Sequence, residues 1–457
     1  MKRIIVTAVA AFVFVCLGQV QPPSTPAGKM LAEFLSAINS GEKAQLETFQ
    51  KSHAPDRPQF VERTMGMIEQ SGGLSLAAIT LSEPQRITGT VKDRKNGAYL
   101  DFVFMVSASD PPAFNGMQLM PGAEPPSEEV TFNQLLVLLD QQAVKTHFQG
   151  TLLVAKDGKP VLRKAYGLAD RENKKPNVMD TQLRMGSMNK MFTAVAALQL
   201  VDKGKLDLDA PVGKYLPQYP NKNVASKVKI RHLLSHQGGT GDIFTPEYDK
   251  ARLEIRELKD YIRLFGDRDL AFEPGTKWAY SNYGFVLLGN IIEAVSGMSY
   301  YDYVRRNIFE PAGMKATDSL PESERVPNRA VGYMKGDQPN TDTLPWRASS
   351  AGGGYTTVDD LLRFGLALES GKILNKKLLD EATTSQTGKS NGPPYGFGFV
   401  ISGEGRNAAY GHGGGAPGMN GELAIYRNNG IIFAALSNTD PPAATTLSKF
   451  FAARLAK

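Results

Sequence analysis

The strongest constraint on the fold is the position of the strand-like segments in the region from residue 128 to the C-terminus. Early segments are expected at 150–156 and 160–167, joined by an Asp157-Gly158 turn, and late ones at 396–401, 421–427 and 431–437. The stretch between these two groups is rich in helices and loops. Strands at both ends of a region, with helices between them, predict an α+β fold whose antiparallel sheet pairs strands distant in sequence.

A smaller unit is predicted ahead of this region. Residues 27–52 carry apolar side chains at helical spacing, a short helix is expected at 60–69, and candidate strands follow near 76–81, 86–92 and 99–107. Helices followed by a meander predict a small α+β domain over 27–109, which loosely resembles cystatin-like and nuclear-transport-factor-like modules. The prolines between 110 and 127 mark that stretch as a linker by composition.

The first 21 residues are predicted to be a signal peptide, which implies export to the periplasm or the medium. Lys2 and Arg3 precede the apolar stretch Ile4–Leu17, which is short for a membrane span and of the length typical of a signal sequence. An uncleaved anchor is the alternative. Cys16, the only cysteine of the chain, lies in this segment. Cleavage after it would leave no disulfide, cysteine nucleophile or cysteine-bound metal.

Composition narrows the range of partners. The chain has 42% apolar and 21% charged residues, as is typical of a soluble globular protein, and a net charge of +6. It contains no run of basic residues with interleaved aromatic side chains, so nucleic acid is not an expected partner.

A candidate nucleophile lies at the start of a predicted helix. Ser187 and Lys190, in the run 184–190, precede an alanine- and leucine-rich stretch. Residues three apart share a helix face. A serine hydroxyl needs a base to become a good nucleophile, and lysine serves only when its pKa is lowered from about 10.4. A helix N-terminus also favours an oxyanion. The alternative is a helix N-cap with a solvated lysine.

Two further motifs carry groups suited to the same chemistry. Tyr280 and Asn282 stand two residues apart, and a phenol beside a lysine can relay a proton to a leaving group while an amide orients a carbonyl. The stretch Gly411–Gly418 contains His412 among many glycines, whose backbone can approach a ligand closely. A packed loop tyrosine and a flexible turn are the respective alternatives.

Each motif is weak alone, since Ser-x-x-Lys also occurs at Ser40–Lys43 and Ser226–Lys229. In the order Ser-x-x-Lys, Tyr-x-Asn, His-Gly-Gly, however, the motifs resemble those of the serine β-lactamase and penicillin-binding protein superfamily. The closest resemblance is to its class C-like branch, which includes D-alanyl-D-alanine peptidases and esterases. It extends over residues 128–457 and implies an antiparallel sheet flanked by helices, plus an all-helical subdomain.

The resemblance also implies roles for individual residues. Ser187 corresponds to the acylated nucleophile, Lys190 to its activating partner and Tyr280 to a second proton-transfer residue. The backbone N–H groups of Ser187 and Gly415 would form the oxyanion hole. No metal or cofactor is implied. The residues expected to bind substrate are Asn282, His412, Gly413 and Gly414.

One departure from the family pattern bears on the substrate. His412 stands where penicillin-degrading members usually carry the lysine of Lys-Thr-Gly, whose cation holds a substrate carboxylate, and histidine is mostly neutral near pH 7. The prediction is a serine hydrolase for a small-molecule or peptide acyl substrate, with an esterase or D-amino-acid-type peptidase favoured over an efficient β-lactamase. A penicillin-binding sensor without turnover is the alternative. Protein contact and dimerisation are candidate roles for the small domain.

Other hydrolase classes fit less well. His232 and His236 have the i, i+4 spacing of zinc ligands, but position 233 is leucine rather than the glutamate a zinc peptidase needs, and no third ligand is evident. Both histidines are expected to be structural. The chain also lacks the Gly-x-Ser-x-Gly elbow of an α/β-hydrolase.

Overall fold

A computed structural model describes residues 20–126, 129–388 and 392–455. These residues divide into two compact units, one ending at Thr131 and the other beginning at Phe132. The predicted signal peptide, including Cys16, lies outside the described residues except for its last two positions. In the part of the chain that is described, no helix is long and apolar enough to cross a membrane.

The smaller unit begins with helices that share an aromatic core with the sheet that follows. The helical stretch predicted at 27–52 is divided at Gly41, whose φ of +71° ends the first helix. The ring centroid of Phe34 lies 5.3 Å from those of both Phe49 and Phe114. The helices are α1 (Pro26–Ser40), α2 (Lys43–His53) and α3 (Phe60–Ser71).

The sheet of the smaller unit is an antiparallel meander in the order β1-β2-β3-β4, with β1 (Leu74–Ser82), β2 (Arg86–Asp93), β3 (Tyr99–Val106) and β4 (Phe114–Pro121). The prediction that 110–127 is a linker is wrong over the residues of β4, which lie within that segment and form part of the sheet. Its prolines flank the strand: Pro111 and Pro112 precede it, and Pro121 is the last residue of this edge strand, where proline is tolerated. The small unit therefore extends past residue 109.

The sheet of the larger unit is formed from both ends of its chain. Its order is β11-β12-β13-β14-β5-β6, and all neighbours are antiparallel. Ile431 pairs with Lys156 and Ser437 with Gly150, which confirms the predicted pairing of sequence-distant strands. Two separate two-stranded sheets, β7-β8 and β10-β9, lie outside it. The strands of the larger unit are β5 (Gly150–Lys156), β6 (Lys159–Tyr166), β7 (Leu168–Asp170), β8 (Lys175–Pro176), β9 (Leu183–Arg184), β10 (Tyr355–Thr356), β11 (Val400–Ser402), β12 (Ala409–Ala416), β13 (Met419–Tyr426) and β14 (Ile431–Ser437).

Most of the helices of the larger unit lie between its early and late strands, which confirms the α+β class. Those flanking the sheet include α14 and α16, while α5 is buried on nearly every side, as expected of a helix at the centre of a core. The helices are α4 (Phe132–Lys145), α5 (Asn189–Asp202), α6 (Val212–Tyr215), α7 (Lys222–Lys227), α8 (Ile230–Leu234), α9 (Pro246–Ala251), α10 (Leu258–Phe265), α11 (Asn282–Ser296), α12 (Tyr300–Val304), α13 (Glu310–Ala312), α14 (Val358–Glu369), α15 (Lys376–Ala382) and α16 (Ala443–Arg454).

The strand predicted at 396–401 is mostly not a strand. Pairing with the sheet begins only at Val400. Gly398 has a φ of +74°, and a Cβ there would lie 2.5 Å from the Cβ of Ala194 in α5. The left-handed turn at this glycine therefore packs the chain against α5 and interrupts the extended conformation.

Candidate active site

Ser187 lies at the entrance to the central helix. The residues Gly186–Met188 form a single 3₁₀ turn that leads directly into α5. Gly186 has a φ of +52°, and a Cβ there would lie 2.7 Å from the backbone nitrogen of Gly415. Glycine is therefore required at this position both for the conformation and for the close approach of β12. Ser187 is half-buried, whereas Lys190, one turn further on, is fully buried.

Three oxygen atoms surround the amino group of Lys190. Its Nζ lies 3.2 Å from Ser187 Oγ, 2.7 Å from Asn282 Oδ1 and 2.6 Å from the Ala351 carbonyl oxygen. Burial lowers the pKa of Lys190 to about 7, against the opposing effect of the Asp242 charge. A neutral amine has two hydrogens and one lone pair. Because the amide and carbonyl oxygens accept the two hydrogens, the lone pair is directed at the Ser187 hydroxyl, as general-base catalysis requires.

Tyr280 provides a second proton-carrying group beside the nucleophile. Burial raises the pKa of its hydroxyl above the ordinary value, and the interaction with Ser187 opposes this effect only in part. Nζ of Lys190 lies 4.8 Å from the centroid of the phenol ring, whose other neighbours include the imidazole of His236 at 4.2 Å. Tyr280 is therefore a neutral phenol near pH 7. A neutral phenol can pass a proton on, but it is a poor base at this pH.

Asn282 is the first residue of α11 and connects the lysine to a loop carboxylate. The helix is capped by Ser281, whose hydroxyl accepts a hydrogen bond from the Gly284 N–H. The Asn282 side chain accepts from Lys190 through Oδ1 and donates to Asp242 through Nδ2, at 3.2 Å. An amide nitrogen carries two hydrogens, so the bond to Asp242 is compatible with donation of the second to a substrate carbonyl.

The glycine-rich stretch around His412 belongs to strand β12, and its glycines allow close contact with the nucleophile turn. A Cβ on Gly414 would lie 1.9 Å from the Met185 carbonyl oxygen and 2.9 Å from the Ser187 backbone nitrogen. The two predicted oxyanion donors, on Ser187 and Gly415, are thus brought side by side. The Cα of Gly413 instead faces Glu422 on the neighbouring strand, where a Cβ would lie 2.6 Å from a carboxylate oxygen.

Replacing Gly414 with alanine should reduce kcat by about 10²- to 10³-fold, the usual cost of losing an oxyanion donor. The added methyl group displaces β12 from the Ser187 turn, because backbone atoms on the opposite side cannot move independently. Ester hydrolysis and thermal melting should be measured together. Gly388→Ala is the matched control, since a Cβ there meets no atom within 4 Å. Full activity of Gly414→Ala would show that the contact of β12 with the turn is dispensable.

The imidazole of His412 is buried and already bonded at both nitrogens. Nδ1 is hydrogen bonded to the Gly413 carbonyl oxygen and Nε2 lies 3.0 Å from the Tyr395 hydroxyl. A carbonyl can only accept, so Nδ1 carries the hydrogen and Nε2 accepts from the tyrosine. Burial, followed by the nearby charge of Lys190, lowers the pKa of His412 to about 3. The side chain is therefore neutral and does not replace a fixed cation.

The two histidines with zinc-like spacing have different backbone partners. Nδ1 of His232 accepts a hydrogen bond from the Lys229 N–H at the start of α8, at 3.2 Å. Nδ1 of His236 accepts from the Ser281 N–H at 3.1 Å, ahead of Asn282. In the described ranges, no group of three or more histidine, cysteine or acidic side chains is placed to hold a metal ion.

The other Ser-x-x-Lys sequences do not form a comparable pair. Ser40 donates to the carbonyl of Ala37, and Ser226 donates to the carbonyl of Lys222. Lys229, three residues after Ser226, is paired with Asp209 at 3.3 Å. Both serine hydroxyls therefore bond to their own helices, unlike that of Ser187.

The structure adds site groups that the sequence did not predict. They are Asp242, which bonds Asn282, Tyr395, which bonds His412, and the carbonyl of Ala351, which bonds Lys190. Ala351 directly precedes three consecutive glycines at 352–354, which were the local signal for a close backbone approach. Asp242 follows the glycine-rich stretch 238–241 in a loop, and Tyr395 had no local signal.

Comparison with known proteins shows which family the larger unit resembles. Residues 138–457 match the family described as Beta-lactamase. The chain belongs to the β-lactamase family. A penicillin-binding protein from Bacillus halodurans with a solved structure is 30% identical with a TM-score of 0.62, covering 68% of this chain and 98% of that one. Esterase EstB of Burkholderia gladioli is 30% identical over 308 residues, covering 58% of this chain and 78% of the esterase.

A D-stereospecific amidohydrolase from Streptomyces is also similar, with 28% identity and a TM-score of 0.59, covering 70% of this chain and 98% of that one. Membership of the β-lactamase family confirms the resemblance drawn from the order of the motifs. The small N-terminal unit lies outside the residues that match the family.

Proposed function

We propose that the chain is a serine hydrolase that cleaves ester or amide bonds through an acyl-enzyme on Ser187, with simple esters and D-amino-acid-type amides preferred over β-lactams. The observation that carries the proposal is the position of Lys190, fully buried and bonded to Ser187, Asn282 and Ala351. This arrangement supports a base that loses its proton near neutral pH.

Acylation begins when the Lys190 amine takes the proton of the Ser187 hydroxyl. Oγ then attacks the substrate carbonyl carbon, and the oxyanion is directed at the backbone N–H groups of Ser187 and Gly415. As the carbonyl re-forms, the bond to the leaving group breaks. Tyr280 protonates the leaving group and receives a proton from the Lys190 ammonium in return.

Deacylation repeats these steps with water as the nucleophile. Water transfers a proton through Tyr280 to the Lys190 amine, and its oxygen attacks the ester carbon on Ser187. When the second oxyanion collapses, Ser187 Oγ leaves and takes its proton back from Lys190. The acid product departs and the starting protonation state is restored.

The substrate preference rests on the neutral His412. A bicyclic β-lactam carries a carboxylate, and at this position it would meet an uncharged imidazole whose nitrogens are both hydrogen bonded. A hydrogen bond to a charged group is worth about 1.5–3 kcal/mol, so its absence weakens binding of such substrates by about 10- to 100-fold. Esters and amides without that carboxylate do not depend on this contact, so their binding is not weakened. Similarity to an esterase and to a D-stereospecific amidohydrolase supports the same preference.

A substrate panel on the full chain tests the proposal. We expect kcat/KM for p-nitrophenyl butyrate or D-alanine p-nitroanilide to exceed that for nitrocefin by about 10-fold or more, as the missing charged contact implies. Acid-quenched samples should carry the acyl mass on Ser187. Faster turnover of nitrocefin would overturn the preference. A stable penicillin adduct at Ser187, with no substrate turned over, would replace the hydrolase proposal with a penicillin-binding sensor.

A further inference from the structure

Asp242 follows the glycine-rich stretch 238–241 and faces the first turn of α11. Its Oδ1 accepts hydrogen bonds from the backbone N–H groups of Ile243, at 2.7 Å, and Asn282, at 3.0 Å, and its Oδ2 accepts from Asn282 Nδ2 at 3.2 Å. The backbone of Asp242 is also held, because the Arg268 guanidinium donates to its carbonyl at 2.6 Å. The carboxylate is therefore fixed against both the main chain and the side chain of Asn282.

These bonds determine which end of the Asn282 amide meets the lysine. A carboxylate only accepts and an ammonium only donates, so Nδ2 must face Asp242 and Oδ1 must face Lys190. With the amide reversed, a nitrogen donor would point at the lysine and an oxygen at the carboxylate. Asp242 thus acts on Lys190 through Asn282, without touching it.

We propose that Asp242 is a positioning residue of the hydrolytic site, which locks the Asn282 amide toward Lys190 and supplies the negative charge that balances the ammonium form. This inference rests on the proposed function. It differs from that proposal because Asp242 takes no part in the proton transfers between Ser187, Lys190 and Tyr280.

The other described groups around Lys190 carry no negative charge, so Asp242 is the source of the charge that balances the ammonium form. Tyr280 and Phe285 present their rings to Nζ, at 4.8 Å and 5.5 Å from the centroids. The pKa of Tyr280 is raised by burial, and those of His236 and His412 are lowered by burial and then by Lys190, so all three are neutral near pH 7. Among the described residues, Asp242 is the charge that favours protonation of Lys190.

The test compares pH profiles of kcat/KM for p-nitrophenyl butyrate between pH 5 and 10. Asp242→Asn removes the charge and one acceptor, which allows the Asn282 amide to reverse. We expect its plateau to fall by up to about 100-fold, the cost of a misplaced catalytic group. The rising limb should move to lower pH by about half a unit or more, because loss of the anion makes Lys190 easier to deprotonate.

Two further variants separate charge from geometry. Asp242→Glu keeps the negative charge but not the geometry. The rising limb of its kcat/KM profile should therefore stay near that of the unmodified protein, while the plateau falls. Asp249→Asn removes an exposed acid seven positions further on, and it should change neither the plateau of kcat/KM nor the position of its rising limb. A limb that stays in place or moves to higher pH in Asp242→Asn, with Ser187-dependent activity and an unchanged melting temperature, would overturn the inference. Activity that does not depend on Ser187 would overturn the proposed function and the inference together.

Discussion

Replacing Ser187 with alanine should lower kcat/KM for p-nitrophenyl butyrate by about 10⁴-fold or more, because no covalent intermediate can form without Oγ and serine nucleophiles in other hydrolases contribute at least this much. The fold should not change. Ser187 is half-buried, and the variant loses the contact between Oγ and Lys190 Nζ, which keeps its bonds to Asn282 and Ala351. Melting temperature and ester hydrolysis should be measured on the same preparation.

Ser226→Ala is the matched control for this variant. Ser226 belongs to a second Ser-x-x-Lys sequence, but it is exposed and its hydroxyl bonds to the Lys222 carbonyl. We expect its activity to equal that of the unmodified protein. Ester hydrolysis by Ser187→Ala at the normal rate would mean that a different group is the nucleophile. A residual rate above that of water is expected, since the oxyanion donors of the backbone remain.

The parts of the site that the sequence predicted are those that local periodicity brings together. Ser187 and Lys190 lie one turn apart at the start of a helix, and Tyr280 and Asn282 lie on either side of a helix cap. Their mutual contact also required α5 and α11 to pack against each other. Only the order of motifs, through the family resemblance, carried that information.

Residues that join the site through backbone geometry left little trace in the sequence. In the sequence Asp242 is an ordinary loop acid, and only the packing of α11 brings Asn282 into hydrogen-bond contact with it. Tyr395 bonds His412, which lies 17 positions further along the chain. The carbonyl of Ala351 has no side-chain signature at all. Each of these contacts depends on tertiary packing that spacing along the chain does not encode.

Glycine and proline were misleading when considered by composition. Both are depleted in strands on average, which favoured a linker at 110–127 and left a turn as the alternative around His412. Both regions contain strands, for different physical reasons. Phe114 adds its ring to the small core at an edge where prolines are tolerated, and Gly414 has no room for a Cβ beside the Ser187 turn.

Substitution of Lys190 should have the second large effect, and it should change both the size of kcat/KM and its dependence on pH. Since burial lowers its pKa to about 7, kcat/KM should rise tenfold per pH unit below about pH 7 and level off above it. The sign follows from the role of the base, because only the unprotonated amine accepts the Ser187 proton. Lys190→Met should reduce kcat/KM by about 10³- to 10⁴-fold and abolish this limb.

Lys190→Arg distinguishes a base from a fixed cation. Arginine keeps the positive charge but is not deprotonated in this pH range, so we expect it to be as inactive as Lys190→Met. Lys229→Met, at the partly exposed lysine paired with Asp209, is the matched control and should retain full activity. Substantial activity in Lys190→Arg with a flat pH profile would show that charge alone suffices. Proton transfer from Ser187 would then have to be assigned to Tyr280, whose raised pKa makes it a poor base at neutral pH.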